Sequence, residues 1–250
     1  MQGLRSDQIR RPEGMSDALV IVAKYPEAGA VKTRLGASIG YENAAHLYRA
    51  FLVDLVERFC RPQCSSLYHH FWSCPPAGRL LAEILGHDAT ILGQRGDNFA
   101  DRLFNICLDM AAEGYRRLVI MASDSPQLPA AVVQHGFDAL NTRDVVLGPA
   151  EDCGYYLIGL HLYPEPPDLF RGIEMSTPAV LARTVVRAAD LACSVALLPY
   201  SFDVDEARDL PRLLDVLEKS GMDAAPHTVR ELRRLISMGL SPPRVERLDA

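Results

Sequence analysis

Short apolar runs alternate with longer amphipathic segments along most of this chain, and this alternation limits the folds that it can adopt. Residues 18–23 and 117–122 are mainly apolar runs of strand length, which is typical of strands buried on both faces. Between them, residues 42–59 place apolar side chains at spacings of three and four, which predicts one face of a helix. Strands that alternate with helices form a mostly parallel sheet with helices on both faces. The sequence therefore predicts an α/β protein.

The same pattern continues through the chain. It predicts further strands at residues 66–73, 89–92, 144–147, 155–160 and 195–198, and further helices at residues 79–85, 98–113, 129–140, 177–189, 207–218 and 227–238. The connection before residues 155–160 is too short for a crossover helix, so this strand is expected to be antiparallel. We expect a single-domain, three-layer α/β/α architecture over residues 17–240, with a disordered leader over residues 1–16 and a polar tail over residues 241–250.

Composition and charge exclude several classes of protein. The 250 residues are 48% hydrophobic and 23% charged, which is typical of a soluble globular protein. The net charge of −6 argues against a nucleic-acid partner. No apolar run approaches the roughly 18 residues of a membrane helix, and no apolar core of a secretory signal follows the N-terminus. Six cysteines without a paired framework indicate reduced thiols in a cytoplasmic protein. The oligomeric state stays open.

A cationic turn follows the first predicted strand. Lys24, Lys32 and Arg34 lie within eleven residues of one another, around Gly29. Gly29 would let the backbone approach a ligand closely, and the three cations would hold phosphate oxygens through charge-assisted hydrogen bonds. The segment lacks the glycine-rich signature of known phosphate loops. A solvated loop whose cations face water therefore explains this stretch equally well.

Carboxylates follow three other predicted strands. Asp124 follows residues 117–122, Glu151 and Asp152 follow residues 144–147, and Asp203 and Asp205 follow the last strand. Ligands of open α/β sheets bind beyond the carboxyl ends of the strands, and Mg²⁺ takes carboxylate, phosphate and water oxygens. Two structural alternatives remain at this point. Asp205 would equally well cap the helix that follows it, and Asp124 would cap a turn before a proline.

Five motifs occur in the order found in one known family. They are Lys24-Tyr25-Pro26 with Lys32-Thr33-Arg34-Leu35, then Ser123-Asp124-Ser125-Pro126, then the run Gly148-Pro149-Ala150-Glu151-Asp152-Cys153-Gly154-Tyr155-Tyr156-Leu157-Ile158-Gly159, then Ser176-Thr177-Pro178, and finally Asp203-Val204-Asp205. Together they resemble the glycosyltransferase-A-like transferases of the DUF2064 type, which are associated with radical-SAM and with selenium or arsenosugar gene neighbourhoods. The resemblance covers residues 18–217. It implies a nucleotide-diphospho-sugar transferase fold, and it favours a functional role for the cationic turn.

The resemblance also implies roles for individual residues. Mg²⁺ (or Mn²⁺) would be bound by Asp124, Asp203 and Asp205, and Asp124, Lys32 and Arg34 would be catalytic. Nucleotide-binding residues would be Lys24, Gly29, Lys32, Thr33, Arg34 and Arg102, although Arg102 is equally well explained as a helix-surface arginine. Substrate-binding residues would be Glu151, Asp152, Tyr155 and Tyr156. The two tyrosines alternate on a strand, so that one would face the site and the other the core. The sequence does not distinguish which one.

Physical reasoning supports convergence of the three aspartates. Asp124 and the Asp203–Asp205 pair both lie just past strands whose carboxyl ends share one edge of a parallel sheet. Carboxylates that close would repel one another without a cation. Asp203 and Asp205 share a face if their segment is extended. We therefore expect the three carboxylates to lie around one metal ion.

The chain departs from the family pattern at two positions. Cys153 stands where the family usually has glycine, so that a side chain either narrows the acceptor site or changes the backbone conformation. A nucleophilic role for Cys153 has no neighbouring base in the sequence, and an altered packing residue is the better interpretation. Met175 stands where an aromatic residue is common, before the Ser-Thr-Pro turn.

Three functional hypotheses follow. The first is a Mg²⁺-dependent cytoplasmic transferase that uses a nucleotide-activated sugar as donor, with a small-molecule acceptor. The alternative is a nucleotidylyltransferase that joins a nucleoside triphosphate to a small phosphorylated acceptor, because the resemblance extends to the phospholactate and phosphoenolpyruvate guanylyltransferases. The third is a non-catalytic nucleotide-binding module, which would bind without turnover.

Overall fold

A single seven-stranded sheet forms the centre of the protein. The computed structural model describes residues 16–60, 67–75, 78–86, 89–220 and 225–240. The strands are β1 (Asp17–Val22), β2 (His69–Cys74), β3 (Ile91–Gly93), β4 (Arg117–Ala122), β5 (Val145–Pro149), β6 (Tyr155–His161) and β7 (Val195–Leu197). Their order across the sheet is β3-β2-β1-β4-β6-β5-β7. The predicted leader (residues 1–16) and tail (residues 241–250) lie outside the described residues, except for Ser16.

The direction of the strands agrees with the sequence prediction. β1 pairs in parallel with β2 and β4, β2 with β3, and β5 with β7. β6 is antiparallel to both of its neighbours, β4 and β5. The mostly parallel sheet with one antiparallel strand is therefore confirmed. Because β6 runs in reverse, its first residue lies at the edge where the parallel strands end.

Helices cover both faces of this sheet. Those in the described residues are α1 (Thr33–Ile39), α2 (Tyr41–Phe59), α3 (Gly78–Leu85), α4 (Phe99–Ala112), α5 (Ala131–Ala139), α6 (Val180–Asp190), α7 (Asp209–Lys219) and α8 (Pro226–Ser237). α1 was not predicted, because its residues were assigned to the cationic turn. From the sequence, Thr177 is expected to cap α6, but this prediction is wrong. α6 begins at Val180, and the Thr177 hydroxyl donates to the Glu174 carbonyl. None of the described helices is both long and apolar enough to cross a membrane.

The core is divided by the sheet into two apolar clusters. Successive residues of β1 contribute to opposite clusters, Leu19 to one and Val20 to the other. The first cluster includes Phe51 and Trp72, and the second includes Tyr115. This alternation explains why the central strands are apolar at almost every position, since both faces are covered by helices.

A buried carboxylate joins α2 to the start of α8. Asp54 is 2% exposed. Its Oδ1 accepts from the His227 amide at 3.0 Å, and its Oδ2 accepts from the Thr228 amide at 2.7 Å and the Thr228 hydroxyl at 2.5 Å. The first amides of a helix lack partners within the helix. Asp54 therefore caps α8 from a neighbouring helix.

Candidate functional site

Two acidic segments meet at the edge of the sheet where the parallel strands end. Asp124 follows β4, and the segment after β7 runs along this edge toward β4. The Ser201 amide donates to the Pro149 carbonyl, and the Val204 amide donates to the Asp124 carbonyl at 3.1 Å. The Val204–Asp124 hydrogen bond fixes the segment containing Asp203 and Asp205 beside Asp124.

Lys32 lies between two of these carboxylates. Its Nζ is 2.6 Å from Asp124 Oδ1 and 2.9 Å from Asp205 Oδ1. The Lys32 side chain is 5% exposed, whereas those of Asp124 and Asp205 are 40% and 46% exposed. Burial opposes the charge on Lys32, but the two carboxylates outweigh it and raise the Lys32 pKa well above its ordinary value. The ammonium is therefore charged at neutral pH.

The backbone of Lys32 explains how its side chain reaches inward. Lys32 precedes the first residue of α1 in the left-handed conformation, with φ 46° and ψ 44°, and its side chain makes no cap hydrogen bond. This conformation costs a non-glycine residue about 1 kcal/mol. Such strain persists where surrounding contacts compensate for it. Here the two ion pairs supply that compensation.

Asp205 does not cap α7. Its carboxylate contacts Lys32, while its amide and that of Glu206 donate to Asp209 Oδ2 at 2.9 and 2.8 Å. α7 begins at Asp209, two residues later than predicted. The cap interpretation of Asp205 is therefore excluded, and Asp209 supplies the carboxylate that binds these amides.

Asp203 lies in an environment that disfavours its ionised form. Its Oδ1 accepts from the Ser125 hydroxyl at 2.5 Å. The Asp203 pKa is raised to about 6: burial is the largest cause, the charges of Asp124 and Asp152 act in the same direction, and the Ser125 hydrogen bond and the Lys32 charge oppose them. Asp203 is therefore influenced at this edge by two other acids and by the Lys32 cation.

Sequence reasoning assigned Tyr48 only to the apolar face of α2. In the structure its hydroxyl is 2.7 Å from Ser123 Oγ and accepts from the Lys24 amide at 3.2 Å. Burial, and next the Asp124 charge, raise the Tyr48 pKa to about 12. This tyrosine connects the start of the cationic turn to the Asp124 segment. The one indication in the sequence is a hydroxyl group, that of Tyr48, on an otherwise apolar helix face.

The remaining predicted nucleotide-binding residues surround Lys32 at the surface. Lys24, Gly29, Thr33 and Arg34 are all exposed. In the described part of the chain, Arg34 has no ion pair. It lines a cleft of about 640 Å³ together with Ser38, Ile39, Glu206, Ala207, Arg208, Gly239 and Leu240. Arg102 lies apart from this group, and its Nε donates to the Gly96 carbonyl at 3.3 Å.

The predicted substrate-binding acids lie in the turn between β5 and β6. Glu151 accepts from both terminal nitrogens of Arg212, at 2.6 and 2.7 Å. This hydrogen-bonded pair lowers the Glu151 pKa. Asp152 is exposed, and its Oδ1 accepts from the Gly154 amide at 2.8 Å. Both carboxylate oxygens of Glu151 are therefore bound by Arg212, whereas Asp152 is exposed and uses only its Oδ1 in this turn.

Tyr155 and Tyr156 pack on opposite faces of the sheet, as alternation predicts. The Tyr156 hydroxyl donates to the Pro199 carbonyl at 2.9 Å. The Tyr156 ring lies so close to Gly148 that a Cβ there would be 2.5 Å from it. Burial raises the pKa of both tyrosines. Both rings therefore serve packing, and substrate contact by either one stays a prediction.

Cys153 occupies the backbone conformation that glycine favours. Its φ is 68°, and its side chain is exposed. The Cys153 carbonyl accepts from the Leu181 amide in the first turn of α6 at 3.0 Å. The cysteine therefore leaves the glycine-type turn in place and adds a thiol to its surface.

Met175 lines a second cleft, of about 530 Å³, beside the turn that contains Cys153. The wall between α4 and residues 168–176 is formed by Asn98, Phe99, Ala100, Asp101, Phe104, Asp168, Phe170, Arg171, Gly172, Ile173, Glu174, Met175 and Ser176. The cation among these lining residues, Arg171, is 2.8 Å from Asp168. The lining residues therefore include three acids, Asp101, Asp168 and Glu174, and one cation that is already paired with one of them.

Metal-ligand geometry differs between two groups of acidic residues. Among the residues that the structure describes, Asp54, Glu57 and His227 are the trio whose ligand atoms all lie within 4.8 Å of one another. Asp124, Asp203 and Asp205 do not form such a trio. Asp124 and Asp205 are nevertheless joined through Lys32, and the Oδ2 atom of neither has a partner in the described regions. One or two carboxylates with phosphate and water oxygens are sufficient for Mg²⁺, so this pair fits such an ion.

Known structures share this fold. A crystal structure from Desulfovibrio desulfuricans G20, of a protein provisionally named a nucleotide-diphospho-sugar transferase, matches with a TM-score of 0.82 and 31% identity, covering 90% of this chain and 98% of that one. A cytidylyltransferase from Leptospira borgpetersenii matches with a TM-score of 0.53 and 11% identity, covering 84% and 97%. The 4-diphosphocytidyl-2C-methyl-D-erythritol synthase from Anaerococcus prevotii has a TM-score of 0.53 and 10% identity, covering 82% and 100%.

A family described as an uncharacterised protein conserved in bacteria (DUF2064) matches residues 63–177. A comparison with curated proteins gave no match. The 31% identity over nearly the full length of the first structure shows common family membership, whereas the identities of 10% and 11% show a common fold alone.

Proposed function

This chain belongs to the DUF2064 family and is a transferase with the nucleotide-diphospho-sugar transferase fold, and we propose that it uses a nucleotide-activated sugar as donor with the help of Mg²⁺. The observation that carries the proposal is the cluster at the sheet edge. Two half-exposed carboxylates, Asp124 and Asp205, are held by buried Lys32. Arg34, exposed and without an ion pair among the described residues, lies two residues further along the chain. Carboxylates for a metal beside a cation for phosphate suit a nucleotide diphosphate.

Mg²⁺ would be bound by Asp124 and Asp205, with Asp203 as a further carboxylate. When bound, the ion would supply positive charge that neutralises a diphosphate leaving group as the bond to the sugar breaks. Mn²⁺ has similar preferences for oxygen ligands and would serve in its place. The protein's own contribution is to hold these carboxylates in place before any ligand arrives.

The donor phosphates would be bound by the exposed part of the cationic turn. Arg34 presents a planar group that matches phosphate bidentately, and Lys24 presents a mobile ammonium. Gly29 has a φ of 80°, and no atom lies within 4 Å of the point that a Cβ would occupy there, which leaves room for a close approach. Thr33 would add a hydroxyl donor. Arg102 would lie near the nucleotide only if the donor extends toward α4.

The acceptor would occupy the second cleft, beside the turn of Asp152. The Leu181–Cys153 hydrogen bond joins this turn to α6, which follows the segment that lines the cleft. The residues that line this cleft include one cation, Arg171, which is already paired with the Asp168 carboxylate. A phosphorylated acceptor would find no free cation among these lining residues. This observation favours transfer to an uncharged or cationic acceptor, hence glycosyl transfer over nucleotidyl transfer.

Product analysis tests the proposal. The protein is incubated with sugar nucleotides of each base, with Mg²⁺ and a set of small acceptors, and release of a nucleoside diphosphate is expected. In parallel, nucleoside triphosphates and phosphorylated acids are scored for pyrophosphate release. Pyrophosphate without nucleoside diphosphate would establish nucleotidyl transfer instead. Tight binding of nucleotide without any product would establish the non-catalytic module.

A further inference from the structure

The resemblance places Lys32 among the residues that bind phosphate, but its geometry differs from that of its neighbours. Lys24 and Arg34 are exposed, whereas the Lys32 side chain is 5% exposed and contacts two carboxylates. The ammonium has three N–H donors, and two of them are directed at Asp124 and Asp205. A phosphate at the surface would have to displace both of these contacts to reach it.

Each of the two contacts uses one oxygen of a carboxylate, Oδ1 of Asp124 at 2.6 Å and Oδ1 of Asp205 at 2.9 Å. Neither Oδ2 atom has a partner within the described ranges, and both carboxylates are open to solvent. Lys32 therefore binds the inner oxygens and leaves one outer oxygen on each carboxylate. Because both carboxylates contact the same ammonium, they are close enough to repel each other when no cation lies nearby. Lys32 is that cation.

From this geometry we propose that Lys32 is a positioning residue: it is the permanent counter-ion of the Asp124–Asp205 pair, holds both carboxylates in place without a divalent cation, and does not contact phosphate. The inference rests on the proposed function for the identity of the metal and the diphosphate. It assigns the phosphate contacts of the turn to Arg34 and Lys24. It also explains the left-handed backbone of Lys32, which directs this one side chain inward while Thr33 and Arg34 stay exposed.

The first test uses the small number of lysines. The chain has three, Lys24, Lys32 and Lys219, so that reductive methylation followed by peptide mass spectrometry reports on each one. Lys32 is expected to react at least about tenfold more slowly than exposed Lys219, because a buried, ion-paired amine reacts only from rare open states. Saturating Mn²⁺, alone or with inorganic pyrophosphate, should leave this protection unchanged. A several-fold faster reaction of Lys32 on addition of either ligand would overturn the proposal, because it would show that the side chain leaves the carboxylates.

The second test separates the two roles by calorimetry with inorganic pyrophosphate in the presence of EDTA. Arg34→Met should weaken metal-free pyrophosphate binding about tenfold, whereas Lys32→Met should stay within about twofold of the wild type. An equal loss in both variants would overturn the proposal. The two substitutions are matched, since each replaces a cation of the same turn by the same apolar side chain.

The third test asks whether a divalent cation replaces the missing ammonium. In EDTA, Lys32→Met should unfold at a lower temperature than the wild type, and Mn²⁺ should raise its Tm by more than it raises that of the wild type. Lys32→Arg, which keeps the charge, should respond to Mn²⁺ as the wild type does. Equal Mn²⁺ responses of Lys32→Met and the wild type would contradict the counter-ion role. If Mn²⁺ affects none of the three proteins, the metal part of the proposed function fails and so does the counter-ion role, while labelling and pyrophosphate binding still decide whether Lys32 contacts phosphate.

Discussion

Two buried or partly buried aspartates, Asp54 and Asp203, use their carboxylates in opposite ways. Asp54 accepts three hydrogen bonds from the first residues of α8. Asp203 accepts one from Ser125 and lies near the charges of Asp124 and Asp152. The buried Asp54 carboxylate has hydrogen-bond donors of α8 in place of water. The Asp203 carboxylate has one such donor and lies near two negative charges. Close spacing of possible metal ligands is therefore a poor guide to function here, because the trio around Asp54 is explained by helix capping.

The largest expected effect comes from breaking the cap. Asp54→Ala should lower the free energy of unfolding by about 3 kcal/mol, because charge-assisted hydrogen bonds are lost and helix amides lose their partner. Urea denaturation measures the change, and pyrophosphate affinity should be unaffected. Glu57→Gln is the matched control, because it removes a neighbouring charge and keeps the cap; it should change stability by less than about 0.5 kcal/mol. A loss of Mn²⁺ binding in Asp54→Ala that is still folded would contradict the structural role.

Replacement of Asp203 is expected to raise the free energy of unfolding, whereas replacement of Asp54 lowers it. Its folded-state pKa of about 6 lies above the ordinary 3.8, so the folded protein binds this proton more tightly than the unfolded chain does. Protonation of Asp203 therefore stabilises the folded protein. This stabilisation is fully present below pH 4 and is lost as the pH rises through about 6. Asp203→Asn, which stays neutral, should therefore be more stable than the wild type by roughly 2 kcal/mol at pH 7 in EDTA. The difference should vanish near pH 4, and a difference that is independent of pH would refute this explanation.

Arg34 should affect binding without affecting the fold. Arg34→Ala is expected to weaken the affinity for a nucleoside diphosphate about tenfold, or by about 1.4 kcal/mol. Its stability should change by less than about 0.5 kcal/mol, because the side chain is exposed and has no ion pair in the described residues. Calorimetry and urea denaturation of the same preparation measure both quantities. Arg143→Ala, which removes an exposed arginine on the α5–β5 connection, serves as the control; equal nucleotide affinities of the two variants would argue against the phosphate role.

The smallest expected effect concerns the strained turn beside the acids. Cys153→Gly should raise the free energy of unfolding by about 0.5 kcal/mol, since relief of the left-handed conformation exceeds the added entropy of the unfolded glycine. Cys153→Ala keeps the Cβ and should give no such gain. A stabilisation by alanine equal to that by glycine would assign the effect to the thiol instead of the backbone. Thermal unfolding in a reducing buffer compares the two variants.

Much of the fold was predictable from local patterns. All seven strands, the single antiparallel strand and seven of the eight described helices were predicted, because the helices carry a helical periodicity and the strands are short apolar runs. α1 was missed because its causes are tertiary. It has seven residues, it follows a left-handed lysine, and a Cβ at its Gly36 would be 2.5 Å from the Tyr41 ring. The contact of Gly36 with Tyr41 is local, but the left-handed lysine depends on Asp124 and Asp205, which are far away in the sequence.

The candidate site was predictable in outline and not in detail. Strand ends correctly indicated the edge at which Asp124 and Asp205 meet. The inward direction of Lys32 was not predictable, because it depends on one backbone conformation and on a partner far away in the sequence. Tyr48 was missed for the same reason: its hydroxyl is useful only because the Ser123 segment lies opposite α2 in the folded protein.

The hydrogen bond between Val204 and Asp124 has a consequence for biosynthesis. Strands β1 to β4 and their helices can associate as the nascent chain emerges, because N-terminal segments fold first during synthesis. The acidic pair does not exist until the residues beyond β7 are also outside the ribosome. Until then, Lys32 has Asp124 but lacks Asp205, and the half-assembled edge has no second carboxylate for a cation. The order of translation therefore delays the Asp124–Asp205 pair until nearly the whole chain has been made.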